Sequence, residues 1–449
     1  MLTEINHNNY AHPRLLRVIR DDMCIACGAC ILSCPQAVIE PSFNKMRAAP
    51  EVKIKNLDFC HECSRCDAVC PSIDVNVSEL LNMSLPQASV PRNGPLKSIQ
   101  IGYAPKYQFN GISSSGGIIR ALIVNAIKQN KPVICLGKSN DGYGAMLFKT
   151  IADIEKIPGS IYHSISFTDG IQLLKEIDRP CVLVAIPCHL EGIRKYILNV
   201  EPELIKKIDL TIGLICGWMY SHHAIYAFAR YKNIKAAICD VRYRGEDKVG
   251  ALKLYTEKTK HSYSRRVFST IKEWIDYRSS FSRTMNRLRC RVCEDHVNVL
   301  ADIVVGDAWL ADYKNEKMSI VLIRNNNGDR VLDELKTSEK VVLDKGTIED
   351  IIESQSEDLV YGHSAKLMNA FLIQKRIITP KFTFGDDQKR VLKFYHLIFF
   401  TYELFMRNII QKSKYHLYRY AFVFYKWPYI ITFSIRKLIN RYNGSTGSK

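Results

Sequence analysis

The chain has 449 residues, 47% of them hydrophobic, long enough for two or three domains with substantial cores. Met1 to Arg20 is polar and charged with no apolar h-region, so it does not read as a secretory signal, and fifteen cysteines then point to a reducing, cytoplasmic setting. The formal charge of +18 is uneven: residues 389–449 hold twelve Lys/Arg against one acid, Glu403, so most of the basic character belongs to the tail.

Two cysteine runs come first along the chain: Cys24-Ile25-Ala26-Cys27-Gly28-Ala29-Cys30-Ile31-Leu32-Ser33-Cys34-Pro35 and Cys60-His61-Glu62-Cys63-Ser64-Arg65-Cys66-Asp67-Ala68-Val69-Cys70-Pro71. Each reads C-x2-C-x2-C-x3-C-P, the bacterial ferredoxin spacing for a 4Fe–4S cluster. Zinc takes four ligands from C-x2-C pairs and does not call for this pattern twice, and disulfides need an oxidising compartment. Three closely spaced thiolates wrap one cluster while the fourth reaches over to the other. That rule assigns Cys24, Cys27, Cys30 and Cys70 to one cluster and Cys60, Cys63, Cys66 and Cys34 to the second. The small residues Ala26, Gly28, Ala29 and Ser64 let backbone amides approach the cluster sulfurs. An α+β ferredoxin-like module is therefore expected over residues 15–85, with Pro86, Pro91 and Pro95 marking a linker.

From Lys97 the pattern changes to apolar strands alternating with amphipathic helices. Strands are predicted at Ile99–Ala104, Pro132–Leu136, Cys181–Ile186, Leu210–Cys216, Ile238–Tyr243, Leu252–Thr256, Ala301–Val305 and Ser319–Ile323. Helices are predicted at Gly116–Gln129, His189–Leu198 and His222–Tyr231, and Asn325-Asn326-Asn327-Gly328 reads as a tight turn. Leu210–Ala229, the longest stretch free of Asp, Glu, Lys and Arg, reads as strand, turn and helix and not as a membrane span. The alternation predicts an α/β domain with a parallel or mixed sheet over residues 97–380.

Four further cysteines fall at the ends of predicted elements. Cys188 and Cys216 close two strands, where open α/β sheets line their ligand crevice, and Cys290 and Cys293 form a C-x2-C in a basic turn. Spacing alone leaves open whether these four hold a third cluster or are ordinary buried thiols. Cys135, Cys181 and Cys239 lie in strand-like runs and read as core, with Cys135 a reserve ligand. The turn Gly111-Ile112-Ser113-Ser114-Ser115-Gly116-Gly117 precedes a helix, a place where hydroxyls and free amides bind phosphate, although an N-cap serine with flexible glycines explains it equally. It does not fit G-x-G-x-x-G, so a Rossmann NAD site is not supported.

Several pieces in order resemble the beta subunits of coenzyme F-420 (deazaflavin) reducing hydrogenases and dehydrogenases, whose flavin-dependent relatives include 7-hydroxymethyl chlorophyll reductase. They are Ser114-Ser115-Gly116-Gly117; Gly159-Ser160-Ile161-Tyr162; Ala185-Ile186-Pro187-Cys188-His189-Leu190-Glu191-Gly192-Ile193-Arg194; and Gly213-Leu214-Ile215-Cys216-Gly217. Val241-Arg242-Tyr243-Arg244, the run Cys290-x2-Cys293-Glu294-Asp295 and Ala301-Asp302-Ile303-Val304-Val305-Gly306-Asp307-Ala308-Trp309 follow. The resemblance covers most of residues 20–330 and implies FAD in the α/β domain beside a third 4Fe–4S cluster ligated by Cys188, Cys216, Cys290 and Cys293. It also implies that Ser113, Ser114, Ser115, Gly116 and Gly117 meet the flavin nucleotide. Family members often have lysine where this chain has Ile161. Many bacterial relatives accompany cell-surface polysaccharide synthesis, so the family leaves the substrate open.

The expected function is an iron–sulfur flavoprotein oxidoreductase. A low-potential donor such as ferredoxin would supply electrons through the clusters to the flavin, which reduces a small-molecule or sugar-derived substrate. His189, Tyr162 and Asp307 are the candidate proton donors or substrate contacts. The rival is a non-catalytic electron-relay subunit of a larger redox complex. The tail, a basic, aromatic-rich, helix-forming stretch over 389–449, suits the headgroup region of an anionic membrane, and packing on the α/β body is the alternative. No DNA-reading motif is present, so nucleic acid is not expected as a partner.

Overall fold

The computed structural model describes residues 13–60, 63–81, 91–108, 113–140, 142–244, 250–265, 267–314, 316–384, 392–424 and 426. Its centre is an eight-stranded mixed sheet. In chain order its strands are β1 (Ser98–Tyr103), β2 (Val133–Ser139), β3 (Gly142–Phe148), β4 (Cys181–Ala185) and β5 (Ile208–Leu214). They continue with β6 (Ile303–Asp307), β7 (Ser319–Ile323) and β8 (Val342–Lys345). The spatial order is β8-β1-β7-β6-β5-β4-β2-β3. The inner strands β2, β4, β5 and β6 run parallel, and the flanking pairs are antiparallel. Every residue of β4 and of β7 is buried, as strands covered on both faces require.

Side chains alternate across that sheet, and each face meets a different layer. Val182, Val184, Ile212, Ile303 and Val321 pack with Ile118 and Leu122 of helix α1 (Ile118–Lys128). Leu183, Ala185, Val304 and Ile320 pack on the other side, in one continuous core with Leu190 and Ile193 of helix α2 (Pro187–Asn199) and with Cys27, Cys30, Val69 and Cys70. The cysteine module thus shares a core with the sheet. It contributes a hairpin, Ile39–Asn44 with Ala49–Ile54, and the strand Asp74–Asn76, which pairs in parallel with Lys381–Thr383 far along the chain.

Three expectations change. The strands predicted at Ile238–Tyr243 and Leu252–Thr256 do not continue the central sheet: Asp240–Arg242 and Ala251–Tyr255 pair with each other, and the latter with Lys260–Ser264, in a separate three-stranded antiparallel sheet. Asn325–Gly328 is no tight turn: Asn325 caps the helix Asn326–Thr337, its side-chain oxygen accepting from the Gly328 amide at 3.0 Å. The predicted strand Pro132–Leu136 is one arm of a longer hairpin, its partner β3 being polar enough at Gly142–Gly144 to hide the period. The helices Ile348–Gln355, Glu357–Tyr361 and His363–Gln374 add to the predicted set.

Of the tail, residues 392–424 and 426 are described. They form helix α3 (Phe394–Gln411) and a second helical stretch, 415–424, bonded to α3 through the Tyr402 hydroxyl and the Ala421 carbonyl at 2.9 Å. The inner stripe Phe400, Glu403, Met406, Arg407 and Ile410 is buried, as are Tyr418 and Phe422. Tyr425, Trp427, Pro428 and Tyr429 lie outside the described residues. Glu403 takes both nitrogens of a fork from Arg291, at 2.9 and 3.2 Å, and a third contact from Arg407 at 2.9 Å. Burial pushes the Glu403 carboxyl up, but the two guanidiniums outweigh it and hold it below its usual value. Glu403→Ala should therefore cost about 3–5 kcal/mol, because two buried cations lose their counter-charge; equilibrium urea unfolding checks this. A depressed carboxyl contributes stability above its unfolded value and loses it as pH falls through the folded one. Protease resistance of the tail should thus persist at pH 5 and fail only below about pH 4.

Candidate functional site

The structure places the cysteines assigned to each quartet within electrostatic reach of one another. The Cys30 thiol is pushed well up by burial and then by Cys27, Cys24, Cys70 and Cys66, and Cys27, raised to about 12, by burial and then by neighbours that include Cys70 and Cys24. Cys60 is raised by burial, then by Cys34 and Cys63, and Cys66, raised to about 12, has Cys60, Cys63 and Cys70 around it. Cys188 is pushed well up by burial, with Glu191, Cys216, Cys293 and Cys290 adding to it. Thiols crowded this way resist becoming separate thiolates, and a cationic iron core relieves both the burial and the mutual repulsion. Among the described residues no three donors converge on a single metal ion. Ligands of a 4Fe–4S cluster each bind a separate iron and need not converge on one point.

Local backbone shape fits the same use. Gly28 and Ser64, each one residue after the second cysteine of its run, adopt positive φ (84° and 53°), as does Ala26 (53°). Left-handed residues between right-handed ones fold successive amides inward into an anion-holding nest. A Cβ on Gly28 would lie 2.5 Å from the Thr168 backbone, so glycine is required there by space as well as by φ.

Helix α2 joins the first quartet to the third. Cys188 is its second residue, and Gly192, one turn on, lies so close to the first quartet that a Cβ there would stand 2.7 Å from Cys27 Sγ. Two buried arginines on the Cys290 segment bind the same two parts. Arg287 donates to the Cys24 carbonyl at 2.7 Å, and Arg289 to the Pro71 carbonyl at 3.2 Å and to Glu191 at 3.2 Å. Arg289 lies beside Cys293 and Cys188 and turns a side-chain donor toward the Cys293 sulfur. Cluster sulfur is the acceptor that such donors suit.

Along the carboxyl ends of the parallel strands runs a cavity of about 640 Å³. Its wall includes Ala185, Leu214 and Asp307 at three strand ends, then Cys216 and Cys290, then Ser354, Gln355, Ser356 and Asp358. That position is where open parallel sheets take ligands. The cavity gathers Tyr162, His189 and Asp307, together with Ser113, Ser114, Ser115 and Gly117, into one lining.

His189 is buried between the first quartet and the cavity, its ring stacked on Phe167 at 5.0 Å and its Nε2 unpartnered among the described residues. Burial lowers it to about 4, which the nearby Ile25 backbone only partly offsets, so it sits there neutral. Asp307 is paired with Arg244 at 2.5 Å, and Arg244 also bonds the Ser114 carbonyl and lies over the Trp309 ring at 4.9 Å. Tyr162 has Arg265 over its ring at 5.3 Å and stands 5.0 Å from Tyr243.

The serine turn is largely committed to the fold. Ser115 Oγ bonds the Met318 carbonyl and Ser319, Gly116 donates to Ser319, and Ser114 Oγ accepts from the Ser160 amide. Gly116 is not in the cavity lining; a Cβ there would meet the Gly102 carbonyl at 2.5 Å. Gly111 and Ile112 lie outside the described residues. Cys135 lines the far side of the cavity, Cys181 is core and Cys239 is exposed. Arg265, Trp218 and the wall of Ser354, Gln355, Ser356 and Asp358 join the cavity without belonging to any motif. Ser356, which caps Glu357–Tyr361 through its side chain, is the one local signal available there.

Residues 23–73 match the family model of the 4Fe-4S dicluster domain, and residues 178–348 match that of the C terminus of the coenzyme F420 hydrogenase/dehydrogenase beta subunit. The F subunit of F(420)H(2) dehydrogenase from Methanosarcina mazei is 24% identical over 348 residues, 74% of this chain and 88% of that protein. The beta subunit of coenzyme F420 hydrogenase from Methanothermobacter thermautotrophicus is 23% identical over 252 residues, 53% of this chain and 81% of that protein. A chain of the F420-reducing [NiFe] hydrogenase complex from Methanosarcina barkeri superposes with a TM-score of 0.48 at 19% identity, covering 64% of this chain and 94% of that one. With a 4Fe–4S dicluster domain ahead of the domain that ends those beta subunits, the chain is a homologue of the coenzyme F420 hydrogenase beta subunits.

Proposed function

We propose that the chain is an electron-relay subunit of a redox complex, exchanging single electrons with a partner at an outer cysteine quartet and with a buried cavity at an inner one. The observation that carries this is a chain of quartets open at both ends. In the outer one Cys63 is exposed, Cys34 and Cys60 are half-buried and Cys66 is buried; Cys24, Cys27, Cys30 and Cys70 are all buried; and in the last, beside buried Cys188 and Cys293, half-buried Cys216 and Cys290 stand in the cavity wall. Clusters of the 4Fe–4S type, once bound, supply one-electron transfer. The protein's part is to space them: Cys66 adjoins Cys70, and α2 lays Cys188 one helical turn, about 6 Å of rise, from the contact with Cys27. Phe59, 61% exposed beside Cys60, offers an apolar contact for the partner at the outer end. Both relatives are named as subunits, one of a dehydrogenase and one of a hydrogenase, which favours a subunit's role over that of a free-standing reductase.

The cavity favours a second element, an organic cofactor such as FAD. Its volume lies within the roughly 300–1,000 Å³ of cofactor sites, and its lining joins apolar strand ends to Arg120, Arg265 and Arg283. FAD there would supply the pairing of single electrons into a two-electron equivalent. Arg244 and Asp307 hold the serine turn and the β6 end in register around it, and neutral His189 separates it from the first quartet. Such a pairing centre would also allow reduction of a small or sugar-derived substrate.

Purified without oxygen, the chain should contain about 12 iron and about 12 acid-labile sulfide atoms. Replacing Cys290 and Cys293 by serine should remove about four of each and leave the other clusters in place; a full complement in that variant removes the third cluster. For the cofactor, Gly217→Phe is the informative change. A Cβ on Gly217, in the cavity wall, meets nothing nearer than Leu359 at 3.9 Å, so the new ring fills the cavity. Flavin released on denaturation should fall from near one per chain to near none with iron unchanged, and undiminished flavin would move the cofactor elsewhere.

A further inference from the structure

The two helical stretches of the tail leave a second face that neither the body nor the relay uses. On α3, Phe394, Ile398 and Phe405 follow one another at helical spacing, opposite the buried stripe of Phe400, Glu403 and Ile410, and they are 78%, 58% and 58% exposed. On 415–424, Leu417, Tyr420 and Phe424 do the same opposite Tyr418 and Phe422, with Phe424 80% exposed. Tyr402 and Ala421 tie the two stretches side by side, so the inward stripes rest on the body and the outward ones face away from it together. Isolated apolar side chains on a surface are ordinary, but six large ones ranged along two neighbouring helices are not.

Within the tail the charges other than Glu403 have one sign. Lys412 and Lys414 are exposed at the junction of the two stretches, and Arg419 is engaged with Asp276 at 2.5 Å. The single carboxylate in residues 392–426, Glu403, is buried in its pair with Arg291 and Arg407, and residues 427–449 add four Lys/Arg and no acid. The surface that the described tail shows is therefore aromatic and basic, with no acid. No helix among the described residues is long and apolar enough to cross a membrane.

We infer that this outward face docks the protein on an anionic lipid surface, lying in the headgroup plane with its aromatic residues inserted. Aromatic and aliphatic side chains interleaved with lysines are the composition of the interface, where rings sit at headgroup depth and cations meet lipid phosphate. Six large apolar side chains along two neighbouring helices, with exposed Lys412 and Lys414 at their junction, suit a deformable anionic lipid surface. Arg291 and Glu403 hold the inner side of α3 against the Cys290–Cys293 loop, so docking leaves the third quartet at a fixed height above the membrane.

The test is flotation of the full, iron-loaded chain with vesicles of phosphatidylcholine alone and of phosphatidylcholine with about 30% phosphatidylglycerol, at low salt and at about 0.5 M salt. The expected result is flotation with the anionic vesicles at low salt, weakened by salt and absent with the neutral ones. Phe405→Ser with Phe424→Ser, and separately Lys412→Glu with Lys414→Glu, should each lower binding on the order of tenfold with iron content and helicity unchanged. Lack of flotation, equal flotation with neutral vesicles, or unchanged binding by both variants would overturn the proposal. So would a lipid-free dimer that the phenylalanine variant dissolves, which would make the face a protein interface.

Discussion

The whole arrangement depends on the closeness of Gly192 to Cys27. No side chain larger than hydrogen fits between α2 and the first cysteine run, so the helix that begins at the end of β4 is pressed onto the module. Everything that follows from a shared core needs that approach. Arg287 and Arg289 reinforce it from the other side, each reaching from the Cys290 segment to a carbonyl of the module. Buried arginines are costly unless their donors are met, and Arg289 meets the Pro71 carbonyl, Glu191 and the sulfur of Cys293. The same residue thus fastens two parts of the chain and favours negative charge between them.

The sheet supplies the second half of the design. Four parallel strands put their carboxyl ends along one edge, and two of the connections leaving that edge carry Cys188 and Cys216. The cavity and the third quartet are therefore consequences of one topology. Strand side chains alternate between a face covered by α1 and a face covered by the cysteine module, which is why one sheet can serve as the floor of both. The tail completes the enclosure: Glu403, the lone acid in a basic stretch, is spent on Arg291 between Cys290 and Cys293.

Much of this is legible in the sequence because iron–sulfur ligation dictates spacing. The paired C-x2-C-x2-C-x3-C-P runs name their residues outright, and buried parallel strands such as Val182–Ala185 announce themselves as unbroken apolar runs. Bringing Cys188, Cys216, Cys290 and Cys293 together needs the fold, since nothing local links them across a hundred residues. The serine turn shows the opposite limit. Its composition fits a phosphate cradle and a structural turn alike, and most of its polar atoms prove to be engaged with Ser319, Met318, Ser160 and Arg244. Asn325 misleads for a similar reason, because asparagine and glycine serve both turns and helix caps. In the tail, packing on the body and an outward apolar face look like alternatives in the sequence, whereas the two stretches have room for both, one on each side.

The central claim is that the third quartet holds a cluster within coupling distance of the first, across a single turn of α2. Electron paramagnetic resonance of the fully reduced protein tests it most directly. The account predicts about three spins per chain, one for each cluster, with spectra broadened by dipolar coupling that relaxes when Gly192 is enlarged. Two spins, or three sharp and independent signals, would contradict it.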